Sequence, residues 1–266
     1  MCIRDSINST LKLAAKTTPE PGLDVAQIGS IYHRILELVY TQAIKNQVSP
    51  LDILDEVAAS VFKSAPQAFD FRPSPLWEVE KVQFLEKLRQ TLQALEVERK
   101  DWEPIGQEQK FGIKDAPLLK LDIGEEEILL HGVIDRVDKN PEGEIRVMDY
   151  KSGSAHMEKS DLQSGLRLQL PIYALAAQQA FNGQVVEGFY WKINDAKASS
   201  LKLSNFKSDD LEGPEAAYNV AIEHILKNVS GIRSGAFSPK APKGGCPDYC
   251  PATQWCWRYE GGFKND

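Results

Sequence analysis

The chain has 266 residues, 42% hydrophobic and 26% charged, the balance of a soluble globular protein able to bury one sizeable core. No apolar run approaches the ~20 residues a membrane span needs, and residues 1–10 lack the basic-then-apolar pattern of a secretion signal, so a cytoplasmic protein with no membrane role is expected. A net charge of −7 argues against a non-specific coat on nucleic acid, yet it leaves room for a local groove and for a carboxylate cluster that collects cations.

The opening residues 1–6 fit poorly with the rest of the chain and read as a non-native remnant, which makes Cys2 suspect. Over 25–45, Ile28, Ile31, Ile35, Leu36 and Val39 recur at helical spacing and predict an amphipathic helix carrying His33 and Glu37. A second helix is predicted over 51–62. After the turn-like Phe71-Arg-Pro-Ser-Pro75, one face of a long helix is sketched by Trp77, Phe84, Leu88, Leu92 and Leu95. The texture then changes. Segments 105–113, 118–123, 127–137 and 144–150 are short, β-prone and divided by Pro, Gly or an Asp-Lys-Asn-Pro turn, which predicts an antiparallel meander. A helix over 161–181, a strand over 185–193 and a helix over 213–232 complete an α/β (α+β) sandwich.

The most informative stretch is His131-Gly-Val-Ile-Asp-Arg-Val-Asp138, followed after a turn by Val147-Met-Asp-Tyr-Lys-Ser-Gly153. Side chains alternate along a strand, so Asp149 and Lys151 face one way and Tyr150 the other. If the two strands pair as a hairpin, Asp135 sits beside them. Two carboxylates bind Mg²⁺ or Mn²⁺ through oxygen, and an adjacent ammonium stabilises charge or positions an attacking water, which suits phosphodiester cleavage. Taken alone, Asp-x-Lys on a strand is more often a surface salt bridge of little worth.

The whole constellation shifts that balance. Gly132-x-Ile134-Asp135-Arg136-x-Asp138 followed by Asp149-Tyr150-Lys151-Ser152-Gly153 resembles the core of the RecB-like PD-(D/E)XK nucleases, including the C-terminal nuclease domain of AddB-type helicase-nuclease subunits. Gly29-x-x-x-His33-x-x-Leu36-Glu37 resembles the family's helical histidine motif. Glu108 looks like its extra acidic strand residue. Gln169-Leu-Pro-Ile-Tyr173 resembles its Gln-x-x-x-Tyr motif, with both side chains on one helical face at the edge of the site.

The resemblance implies a restriction-endonuclease-like fold: a central mixed sheet flanked by helices, an N-terminal helical insertion over 46–103 and a cysteine region over 234–260, all within a single nuclease domain over 7–266. It implies DNA as substrate, cleaved from an end, with a helicase or second nuclease subunit as partner. Asp135, Asp149 and Lys151 would carry the chemistry, helped by Gln169 and Tyr173. His33, Glu108, Asp135, Asp149 and the Tyr150 carbonyl would hold metal. A rival is a catalytically silent DNA-binding or scaffold module. Silence in such modules shows as a replaced Asp or Lys, and none is replaced here.

Three of the four cysteines, Cys246, Cys250 and Cys256, crowd into the last 21 residues, which in a cytosolic protein points to metal before disulfide. They resemble the C-terminal ligands of the family's [4Fe-4S] cluster, with Cys2 falling roughly where the fourth belongs. The first gap is three residues where the family usually has two. Thiolates also suit zinc, the alternative metal.

Overall fold

A computed structural model describes residues 22–123, 126–153 and 158–236, together with Cys246. Residues 19–222 group into one compact unit, and the chain from 223 onward belongs to another.

Three helices come first. Helix α1, Val25–Asn46, starts at Asp24, whose carboxylate accepts the Gln27 N–H while the Gln27 side chain accepts the Asp24 N–H. This reciprocal cap satisfies two backbone donors that the first turn leaves unbonded. Helix α2, Pro50–Ala68, is opened by the Ser49 hydroxyl and by proline at its first position, where no N–H is needed. It outruns the predicted 51–62 because apolar spacing continues through Ala65. Helix α3 spans Trp77–Arg99. Tyr32, Phe62, Phe71, Trp77 and Phe84 meet ring to ring among the three helices.

The strands are β1 (Glu103–Phe111), β2 (Leu119–Ile123), β3 (Glu126–Leu130), β4 (Gly132–Lys139) and β5 (Ile145–Lys151). Two short helices follow, α4 (Lys159–Gln163) and α5 (Gln169–Phe181), then β6 (Val185–Lys192) and β7 (Lys197–Lys202). The small pair β8 (Lys207–Ser208) and β9 (Leu211–Glu212) leads into α6 (Pro214–Arg233). The central sheet runs β1-β4-β5-β6-β7. Its β5 and β6 are parallel, joined by the crossover through α5, and its other pairs are antiparallel.

Met148, Tyr150, Phe189 and Trp191 on one sheet face join the core of α1, α2 and α3. Leu170, Ala174 and Ala177 of α5 are buried against β5 and β6 on the other face. This is the α/β architecture with a mixed sheet flanked by helices that was expected. Among the described residues no helix is long and apolar enough to cross a membrane.

Two expectations are corrected. The meander is not continuous: β2 and β3 pair only with each other, and the single strand expected over 127–137 breaks at His131. The cause is local. Gly112 turns with φ 64° and its N–H reaches the Pro117 carbonyl, so the chain leaves the sheet after Phe111 and re-enters at Gly132, opposite Phe111. Only glycine fits there, because a Cβ on Gly132 would meet the Phe111 ring at 2.7 Å. The helix expected over 161–181 is also split, at Gly165, whose φ of 79° ends the first piece. The second piece begins at Gln169, which leaves Pro171 in the first turn, where a missing N–H costs nothing.

Candidate active site

The alternation of β4 and β5 decides what meets what. Val137 pairs with Val147 and Asp138 with Arg146, so Asp135, Asp149 and Lys151 project from one face while Arg136, Asp138, Arg146 and Tyr150 project from the other.

On the first face Asp135 is held by the Tyr150 backbone N–H, which donates to its Oδ2 at 2.7 Å. The imidazole of His33, from the middle of α1, turns its Nδ1 toward this carboxylate at 3.5 Å and toward Glu108 Oε1 at 3.8 Å. Its Nε2 lies 2.9 Å from the Tyr150 carbonyl, to which it donates. One peptide unit thus orients two of the side chains. Glu108 lies across from Asp135, between the pairs Gln107–Arg136 and Gln109–Ile134. Its backbone is left-handed, φ 46°, a strained state for a non-glycine residue in a strand. Ligand atoms of His33, Glu108 and Asp135 all fall within 4.8 Å of one another.

Asp149 is 1% exposed. Lys151 ion-pairs with its Oδ2, and its Oδ1 has no hydrogen-bond partner among the described residues. Burial, and after it the charge of Asp135, raises its pKa to about 7. Burial by itself would lower the pKa of His33, but hydrogen bonds to Asp135 and Glu108 and the charges of Asp135 and Asp149 lift it to about 10. Both shifts report an excess of negative charge that the surrounding protein does not neutralise. The group of His33, Glu108 and Asp135, with the buried Asp149 carboxylate close to Asp135 and its Oδ1 unpartnered, is the hard-oxygen and nitrogen donor set that suits a divalent cation.

Lys151 leads outward. Its Nζ donates to Gln169 Oε1 at 3.1 Å, and Gln169 Nε2 donates to the Tyr173 hydroxyl at 2.7 Å, one turn along α5. His33, Glu108, Asp135, Asp149, Lys151, Gln169 and Tyr173 therefore form one continuous group. Of the cysteines, Cys246 is described and buried, whereas Cys2, Cys250 and Cys256 lie outside the described residues.

Sequence reasoning missed the partners on the opposite face. Asp138 accepts from Arg136 Nε at 2.6 Å and from Arg146 Nε at 2.9 Å, all three buried, and the Arg136 guanidinium lies 4.2 Å from the Tyr40 ring centroid. The signal was present, since alternation alone sends Arg136 and Asp138 away from Asp135. It also missed a tether beside the site: Lys87 of α3 donates to Asn194 Oδ1 at 2.5 Å, and Asn194 donates to the Ser152 carbonyl, next to Lys151.

Known proteins resemble this chain in sequence. The model of the PD-(D/E)XK nuclease superfamily matches residues 7–257. Relatives named as ATP-dependent helicase/deoxyribonuclease subunits include one from Caldanaerobacter subterraneus, 39% identical over 148 residues, covering 52% of this chain and 12% of the relative. One from Clostridioides difficile is 39% identical over 157 residues, covering 52% and 13%. One from Leuconostoc citreum is 28% identical over 216 residues, covering 74% and 18%. The chain thus spans less than a fifth of the length of these relatives.

Proposed function

Because the chain belongs to the PD-(D/E)XK nuclease superfamily, we propose that it is a divalent-metal-dependent deoxyribonuclease that hydrolyses phosphodiester bonds from an end, as the nuclease part of a helicase-nuclease in DNA repair and recombination. The observation that carries this reading is the buried Asp149 carboxylate, its Oδ1 unpartnered and its Oδ2 paired with the Lys151 ammonium, close to the charge of Asp135. His33, Glu108, Asp135 and Asp149 would hold Mg²⁺ or Mn²⁺, with the second lone pair of the Tyr150 carbonyl at the edge of the shell. When bound, the cation supplies Lewis-acid charge at the scissile phosphate.

The chain's own groups do the rest. Tyr150 N–H and C=O fix Asp135 and the His33 ring. Lys151 offers a proton-bearing cation to the attacking water or to the phosphate oxygens, and Gln169, braced by Tyr173, sets its direction. No Asp or Lys of the motifs is replaced, which disfavours a silent scaffold. Residues 7–266 are assigned to one nuclease domain in the cytoplasm, with a helicase or second nuclease subunit as partner.

Cys246, Cys250 and Cys256, with Cys2 the remaining thiol, are assigned to a [4Fe-4S] cluster in preference to zinc, on their resemblance to the family's C-terminal ligands. Iron and sulfide content after anaerobic purification, set against zinc content, tests this. The nuclease reading is tested with labelled single- and double-stranded DNA and Mg²⁺, comparing wild type with Asp149→Ala and Lys151→Ala. Cutting that survives both substitutions overturns it.

A further inference from the structure

Tyr190 pairs with Asp149 across the parallel strands β5 and β6, so the two side chains leave the sheet on the same face. The ring is fully buried, and the Lys151 ammonium lies 5.5 Å from its centroid, within cation–π range. The hydroxyl is also buried and faces the Leu170 backbone. Its backbone is pinned: the Tyr190 N–H donates to Ser199 Oγ at 3.1 Å, and Ser199 Oγ donates to the Leu201 carbonyl at 2.6 Å.

Among the described residues three groups surround the ammonium: the Asp149 carboxylate, Gln169 Oε1 and this ring. The carboxylate has two claims on it. Once Asp149 is engaged by a divalent cation it no longer offers Lys151 a full counter-charge, and the cation repels the ammonium. Lys151 is 27% exposed on a flexible stem, so water gives it an easy way out. Gln169 and the Tyr190 ring, both neutral, are the partners left to hold it inward.

We propose that Tyr190 is a positioning residue for cleavage, its ring face keeping the Lys151 ammonium at the reaction site while Asp149 is engaged by a cation. The inference rests on the nuclease reading above.

The test uses the full chain as wild type, Tyr190→Phe and Tyr190→Leu, and as forms carrying singly and triply fluorinated phenylalanine at position 190. Fluorine withdraws charge from the ring face at nearly constant shape. Phenylalanine is expected to keep kcat within about two-fold of wild type. Across the fluorinated series kcat falls stepwise, by about two- to thirty-fold in total, while KM and the rise in Tm on adding Mn²⁺ stay constant. A flat series, or a Phe variant as slow as the Leu variant, overturns the proposal. Should the Leu variant fail to fold, the fluorinated series decides alone.

A second readout needs no cleavage. The ε-methylene signals of Lys151, assigned with Lys151→Arg, are expected at upfield ring-current positions in wild type and Tyr190→Phe. Ordinary lysine positions in the wild type overturn the proposal. A wild-type chain that shows the displacement yet cuts no DNA overturns the nuclease reading, and leaves the contact between ring and ammonium standing.

Discussion

The hairpin of β4 and β5 carries buried charge on both faces and treats it in opposite ways. On the face toward α1, Asp138 is shared by Arg136 and Arg146, each donating at hydrogen-bond distance, with Tyr40 and Trp102 rings against the guanidinium planes. On the other face Asp135 lies near Glu108, and Asp149, close to the charge of Asp135, has only the Lys151 ammonium against Oδ2 and keeps its Oδ1 unpartnered among the described residues. Burial alone does not separate them, since Asp138 and Asp149 are 0% and 1% exposed. The partners of the carboxylate do. A buried carboxylate met by two guanidiniums fixes structure, whereas neighbouring carboxylates that share one ammonium store a demand for a counter-ion.

The largest expected break in this comparison is in catalysis. Asp149→Ala is expected to slow DNA cleavage by ~10³-fold or more, several kcal/mol of lost charge stabilisation, with the fold retained by circular dichroism. Next comes stability. Asp138→Ala leaves two buried guanidiniums without their anion and is expected to cost about 3–5 kcal/mol, a fall in Tm on the order of 10 °C that added Mg²⁺ does not reverse. If Asp138→Ala melts like wild type, the two faces do not differ as argued.

Much of this was legible in the chain itself. Apolar spacing placed α1 with His33 on it, and strand alternation put Asp149 and Lys151 together with Tyr150 opposite. The ends of elements were less legible because single backbone states set them: positive φ at Gly112 and Gly165 broke one strand run and one helix that composition alone continues. The region 194–212 yielded no assignment, although it holds β7, because Lys197–Lys202 has few apolar residues to mark its period. Tyr190 was invisible as a neighbour of Lys151, since the parallel register that aligns it with Asp149 is fixed only by the crossover through α5.

A smaller effect sharpens the contrast in the absence of added metal. Asp149 has a folded-state pKa of about 7, above the ordinary value of 3.8, so its contribution to stability is fully present below 3.8 and is lost as pH rises through about 7. At pH 8 the ionised carboxylate destabilises the fold. Asp149→Asn is therefore expected to raise Tm at pH 8 in chelator by a few degrees, about 1–3 kcal/mol, with the gap narrowing toward pH 4. Equal Tm values at pH 8 would show that the Lys151 ion pair already neutralises the site. The cost of that stabilising change falls on function, because the same variant gives up a ligand oxygen.

The smallest effect lies in the backbone of β1. Glu108 sits in the left-handed region, while its neighbour Gln107 does not, and Gln107 is paired with Arg136 on the face of Asp138. A left-handed non-glycine residue costs on the order of 1–3 kcal/mol, relieved by glycine, whereas glycine at an ordinary strand position costs about 0.5–1 kcal/mol relative to alanine. Glycine and alanine should then rank oppositely at the two sites. Glu108→Gly is expected to melt above Glu108→Ala, and Gln107→Gly below Gln107→Ala. Both Glu108 variants remove the carboxylate, so the rise in Tm on adding Mn²⁺ should shrink equally in the two, which separates strain from ligation. If Glu108→Gly melts no higher than Glu108→Ala, the strand bears no strain at this carboxylate, and its place opposite Asp135 is set by ordinary pairing.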